Sequence, residues 1–106
     1  MWGKKKILEP RKVFDDKTGT GASLIFTAQW YPCVSAVIKR TGGSAHSAQL
    51  QGSFDNTNWV DVGSAITGDF GNNVVSNYGN VWFPFWRLNL TSNDGTINAW
   101  IGAGGA

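Results

Sequence analysis

The chain has 106 residues, 42% of them hydrophobic and 13% aromatic, with six Trp, six Phe and 14 Gly. Only 15% are charged, against about 25% in ordinary globular domains, and a disordered chain would be richer in charge and poorer in aromatics. The length suits one domain, and no apolar run approaches the ~20 residues of a membrane-spanning helix.

The charge is unevenly placed. Residues 1–17 hold Lys4, Lys5, Lys6, Arg11, Lys12 and Lys17 against Glu9, Asp15 and Asp16, a net of +3, while residues 18–106 have a net of −1. A body with so few charges is thinly protected from association, so it is expected to live among covering neighbours. Cys33 is the sole cysteine, which leaves no intrachain disulfide and fits a small buried hydrophobe. Ile7-Leu8 is too short for a signal-peptide core and runs at once into Glu9-Pro10-Arg11-Lys12, so synthesis in a cytoplasm is expected.

In chain order, residues 1–21 read as a basic extended arm that ends in Thr18-Gly19-Thr20-Gly21, and residues 22–106 as one β-sandwich domain. Short alternating runs separated by Gly, Asn, Asp and Ser predict strands at Ser23–Ala28, Cys33–Arg40, Ala45–Phe54, Trp59–Val62, Val74–Ser76, Val81–Thr91 and Thr96–Ile101. An additional edge strand is open at Lys12–Phe14. Residues 64–80, rich in Gly and Asn, read as a long irregular loop carrying Phe70 and Tyr78. The fold class is all-β, an antiparallel sandwich of jelly-roll-like or immunoglobulin-like kind with an extended N-terminal arm.

Two connections have turn chemistry. Ser53-Phe54-Asp55-Asn56-Thr57-Asn58-Trp59 reads as a hairpin in which Asp and Asn bond their own backbone. Ser92-Asn93-Asp94-Gly95 reads as a second hairpin, with Asp-Gly at its turn. Alternation then puts Leu88, Leu90, Ile97, Ala99 and Ile101 on one core face. On the opposite face fall Phe83, Phe85, Arg87 and Asn89, with Asn98 and Trp100 outward on the next strand. Aromatic rings beside a single Arg form a partner-binding combination, with Arg87 expected over or beside the Trp100 ring. The alternative for Phe83 and Phe85 is a second small core beneath the long loop.

Catalytic chemistry has little to stand on. His46 is the only histidine, and a Cys33/His46 dyad needs two strand residues to meet. Asp15-Asp16 beside Lys12 and Lys17 reads as a solvated stretch. Asp55-Asn56-Thr57-Asn58 with Asp61 looks like a calcium loop but lacks its turn glycine and distal Glu. Asn89-Leu90-Thr91 matches a glycosylation acceptor by chance, in mid-strand. No enzyme activity, metal or cofactor is expected. The arm joins its lysines to Trp2, Ile7, Leu8, Val13 and Phe14, more apolar groups than a purely electrostatic tail needs. Docking on a protein neighbour through Trp2, Lys4, Lys5, Lys6, Ile7, Leu8 and Arg11 is therefore expected, ahead of nucleic acid.

The stretch Gly52-Ser53-Phe54-Asp55-Asn56-Thr57-Asn58-Trp59-Val60-Asp61-Val62-Gly63 resembles a GSxDxxxWxxVG hairpin of small β-sandwich proteins in tailed-phage virions. Trp86-Arg87-Leu88 and the Gly-rich C-terminal segment take the places of that family's later strands, so the resemblance spans about residues 22–104. It implies a virion protein located on the capsid surface, of decoration or cement type, with the major capsid protein and neighbouring virion subunits as partners. A homo-oligomer, by analogy a trimer, is implied too, and no membrane. Discoidin-like carbohydrate-binding domains share the Ser-x-Asp-x-x-x-Trp hairpin. A carbohydrate-binding module using Trp30-Tyr31, Tyr78 and Trp82, or a small tail or baseplate component, are the alternatives.

Overall fold

In a computed structural model, which describes residues 7–44, 46–67, 74–78 and 81–105, the alternating runs form strands and no helix among those residues. The strands are β1 (Ile7–Thr18), β2 (Gly21–Ala22), β3 (Phe26–Thr27), β4 (Cys33–Thr41), β5 (His46–Ser53), β6 (Val60–Asp61), β7 (Val74–Tyr78), β8 (Phe85–Asn93) and β9 (Thr96–Gly104). Sheet A has the order β1-β9-β4-β7 and sheet B the order β2-β8-β5-β6, with β3 also on β8. All pairs are antiparallel.

The pairing is nested. β1 lies on β9, β2 and β3 on β8, β4 on β7, and β5 on β6. The chain thus doubles into one long ribbon, which rolls up so that β9 also meets β4 and β8 meets β5. That is a jelly roll. Of the two sandwich types expected, the immunoglobulin-like one is set aside by this strand order.

Alternation decides what fills the space between the sheets. Val34, Ala36 and Ile38 of β4 and Ile97, Ala99 and Ile101 of β9 face Ala48 and Leu50 of β5 and Trp86, Leu88 and Leu90 of β8, each at most 1% exposed. The expected core set of Leu88, Leu90, Ile97, Ala99 and Ile101 is therefore buried together. Trp86, the largest fully buried side chain, keeps its indole N–H satisfied by donating to the Phe83 carbonyl at 2.8 Å.

The arm differs from expectation. From Ile7 onward it is not separate from the sandwich but forms the whole of β1, and Val13 and Phe14 are 2% and 3% exposed in the core. No boundary falls between residues 21 and 22, because β1 and β2 belong to the two sheets of one sandwich. The register shifts between Leu8 and Arg11, Lys12 and Phe14, and Phe14 and Lys17. Each shift places an extra residue on β1, as a β-bulge does. Bulging lets the consecutive Val13 and Phe14 both turn inward, and so hides the strand from an alternation test. Leu24 N–H donates to the Val13 carbonyl at 3.1 Å and Arg11 Nη1 to the Ile25 carbonyl at 2.5 Å, closing this side of the sandwich.

The second difference concerns Asn93-Asp94-Gly95. It does not join two paired strands: β8 is in sheet B and β9 in sheet A. The links β1–β2 and β4–β5 also cross between sheets, at the same end of the molecule. Asn93 binds these corners together. Its Nδ2 donates to the carbonyls of Gly19 (2.9 Å) and Lys17 (3.4 Å), and its Oδ1 accepts from Gly95 N–H at 2.9 Å. The Asp94 carboxylate accepts from Ser44 N–H at 2.7 Å and Ser44 Oγ at 3.4 Å. Gly43 and Gly95 allow this approach, since a Cβ on either would strike the other corner's backbone.

Candidate functional site

The outer faces of the two sheets differ in chemistry. On sheet B, Gln49, Gln51, Arg87 and Asn89 point outward, opposite in phase to the buried Ala48, Leu50, Leu88 and Leu90. Arg87 Nε donates to Gln51 Oε1 at 2.8 Å, and Gln51 Nε2 donates to Asp61 Oδ1 at 2.9 Å. The guanidinium also lies 4.3 Å from the centre of the Trp59 ring, a cation–π contact. Burial pulls the Arg87 pKa below its ordinary value. This face is polar and internally bonded.

The outer face of sheet A, polar where Lys39 pairs with Asn98, is apolar and small around Trp100. Pro10 of β1, Ser35 and Val37 of β4, and Trp100 and Gly102 of β9 line one shallow depression. Leu8, Cys33 and Gly104 continue it toward the end of the sheet. Val37 pairs with Trp100 and Ser35 with Gly102, while Lys12 lies on the other side of Trp100. Gly102 leaves a bare floor beside Pro10, and Lys12 Nζ sits 5.4 Å from the Trp100 ring centre with Asp15 Oδ1 3.1 Å away. A sheet face meant for water is normally polar.

The expected site residues therefore do not form one face. Arg87 and Trp100 project from opposite sheets, because β8 and β9 do not pair; the ring that Arg87 covers is that of Trp59, and the cation near Trp100 is Lys12. Phe83 turns inward, where it packs edge-on against Trp86 at 5.6 Å and on the core. Phe85 is half-buried on the Arg87 side of β8. Pro84 breaks the parity that would have put the two Phe together. Leu8 packs against the core, Arg11 is spent on the Ile25 carbonyl, and Ile7 pairs with Gly104. Trp2, Lys4, Lys5 and Lys6 lie outside the described residues, as does Phe70. Lys12, Pro10, Val37 and Gly102 were missed, and only knowledge of which strand neighbours β9 would have found them.

The end of the sandwich away from the three corners carries exposed rings: Trp30 (63% exposed), Phe54 (67%) and Trp82 (42%). Phe54 is 4.9 Å from Phe83 and 6.1 Å from Trp82 between ring centres. The turn that presents Phe54 is built around one carboxylate. Asp55 Oδ1 accepts from the N–H groups of Thr57 (2.9 Å) and Asn58 (2.8 Å) and from Ser53 Oγ (3.0 Å), and Oδ2 accepts from Asn58 Nδ2 at 2.7 Å. Those bonds, first the Asn58 and Thr57 N–H groups, hold the Asp55 pKa far below the usual carboxylate range. With its lone pairs so engaged, the loop is a turn and not a calcium ligand set. Gly52, just before it, leaves room for the Phe83 ring, with which a Cβ there would collide.

Cys33 opens β4 at the aromatic end and His46 opens β5 at the corner end, so no dyad forms. His46 Nδ1 instead lies 2.6 Å from Arg40 Nη1. Asp16 is not merely solvated but bonded to Asn98. Among the described residues no group of three His, Cys, Asp or Glu could hold a metal ion. Neither a protein-family model, nor a curated protein, nor a solved structure matches the chain.

Proposed function

We propose that this chain is a non-enzymatic virion structural protein, a capsid decoration or cement protein that binds the assembled capsid lattice and reinforces it. The observation that carries the reading is the outer face of sheet A. Trp100, Val37, Pro10 and Gly102 form an apolar depression bordered by the cation of Lys12, on a body with few charges of its own. Flat apolar surface rimmed by charge suits a protein neighbour. Lys4, Lys5 and Lys6, which precede β1 in sequence, add positive charge for attachment to the capsid. The partners are the major capsid protein and neighbouring virion subunits, with copies grouped as trimers at lattice threefold positions.

Co-sedimentation tests this. The chain should pellet with assembled tailed-phage shells and stay in solution with dissociated capsid subunits. Trp100→Ala should weaken retention by about 2 kcal/mol or more while the free domain keeps its stability. Failure to pellet with shells, together with binding to isolated tail or baseplate parts, would move the protein to the tail.

A further inference from the structure

The end that carries Trp30, Trp82 and Phe54 is held more rigidly than exposed rings require. Gln29 has φ 54, in the left-handed region that a residue with a Cβ adopts at a cost. It sits in a tight turn closed by Tyr31 N–H on the Ala28 carbonyl at 3.2 Å, and Ala28 N–H donates to the Pro84 carbonyl at 2.9 Å. The turned carbonyl of Gln29 accepts the Trp82 indole N–H at 2.6 Å. Trp30, the next residue, stacks on Tyr31 with centres 4.9 Å apart and planes 12° apart, and Tyr31 is only 8% exposed. One face of Trp30 is thus backed by a ring rooted in the core, and the ring itself stays 63% exposed. Two indoles and a phenyl ring are fixed in place beside one another with much of their surface in water.

We propose that this end binds a neutral glycan, whose pyranose rings lay their apolar C–H faces on Trp30 and Trp82. A pyranose has an apolar face and a rim of hydroxyls, which suits a fixed flat ring; Gln29, beside Trp30 in the chain, and Asn56, in the turn that presents Phe54, are exposed amide residues on the segments that carry the rings. Residues 23–32 and 81–86 contain no charged side chain, and residues 53–60 contain only Asp55. Among the described residues these segments supply no cation of their own, and Arg87, which lies over the Trp59 ring, is bonded to Gln51. A neutral ligand is therefore favoured over nucleic acid and anionic sugars. The site is distinct from the sheet A face, so this inference does not rest on capsid attachment.

The test is affinity electrophoresis of the full chain through gels containing soluble α-glucan, β-glucan, mannan or galactan, with dextran sulfate and single-stranded DNA as anionic probes. At least one neutral polymer should retard the protein, and Trp30→Ala should weaken that retardation tenfold or more with an unchanged melting temperature. Trp82→Phe, which keeps a ring but loses the Gln29 bond, should weaken it several-fold and serves if Trp30→Ala is poorly folded. No retardation by any neutral polymer, retardation by the anionic probes only, or binding indifferent to both substitutions would overturn the proposal. Loss of shell co-sedimentation in Trp30→Ala without any sugar effect would also overturn it, in favour of a protein partner. Unchanged co-sedimentation with lost sugar binding supports it.

Discussion

Asp16 and Asn98, 82 residues apart in sequence, hold each other by two hydrogen bonds: Asp16 N–H donates to Asn98 Oδ1 at 2.9 Å, and Asn98 Nδ2 donates to Asp16 Oδ1 at 3.1 Å. Asp16 has φ 52 and lies where the β1–β9 register slips between Phe14 and Lys17. A bulge leaves a backbone group off the ladder, and the Asn98 amide takes the place of the missing strand partner. Asn98→Ala should cost about 1 kcal/mol, measured by urea denaturation. A loss near zero would mean that water replaces the amide fully.

The interior is tested at Leu90, 1% exposed between the sheets. Leu90→Ala should cost about 2–5 kcal/mol, the range for large-to-small core changes. A loss below about 0.5 kcal/mol, typical of surface positions, would contradict the register of β8.

Gly52 and Phe83 should be coupled. Gly52→Ala drives a methyl into the Phe83 ring and should cost about 1–3 kcal/mol, as overpacking does. Phe83→Leu alone should also destabilise, by loss of its contact with Trp86. In the double variant the two losses should sum to less than additively, and a double-mutant cycle with no coupling energy would place the ring elsewhere.

The Asp55 turn predicts a pH dependence. Its carboxylate has a lowered pKa in the folded chain, so the folded state binds a proton less readily than the unfolded one. The resulting stabilisation is complete above the unfolded value of about 4 and is lost as pH falls through the lower folded value. Asp55→Asn should flatten the acid limb of the stability curve and leave the shape near neutrality unchanged. Thermal scans of both proteins from neutral to strongly acidic pH would show it, and identical acid limbs would contradict the account.

Truncation separates the two parts of the basic segment. A chain starting at Ile7 keeps every described ladder and should melt near the full-length temperature, while losing shell retention if the lysines attach. Removing β1 as well strips the cover from Ile97, Ala99 and Ile101 along β9 and should leave no cooperative transition. Circular dichroism of both truncations checks this.

The legible part of the fold was what depends on strict alternation. Val34, Ala36 and Ile38, or Ile97, Ala99 and Ile101, follow the two-residue period without interruption, and their strands and inward faces could be read directly. β1 was obscured because its three register shifts break that period. Asp94-Gly95 announces that the chain reverses but carries no information on whether the next strand joins the same sheet or the opposite one. Choosing the hairpin put Arg87 and Trp100 on one face. The exposed rings were visible as residue types; their fixation was not, because it depends on the Gln29 backbone and on a carbonyl 53 positions from the indole it binds.

The nested ribbon also sets a timetable. β5 and β6 are close in sequence, β4 and β7 farther apart, β2 and β8 farther again, and β1 and β9 farthest. Loop-closure entropy grows in that order, and folds dominated by such distant pairings assemble in milliseconds to seconds. On the ribosome β1 emerges first among these strands and its partner β9 last. Until then Val13 and Phe14 have no lasting shelter, and at synthesis rates of about 5–20 residues per second that wait runs to several seconds. During that interval a chaperone, or a premature encounter with another copy, can claim the strand.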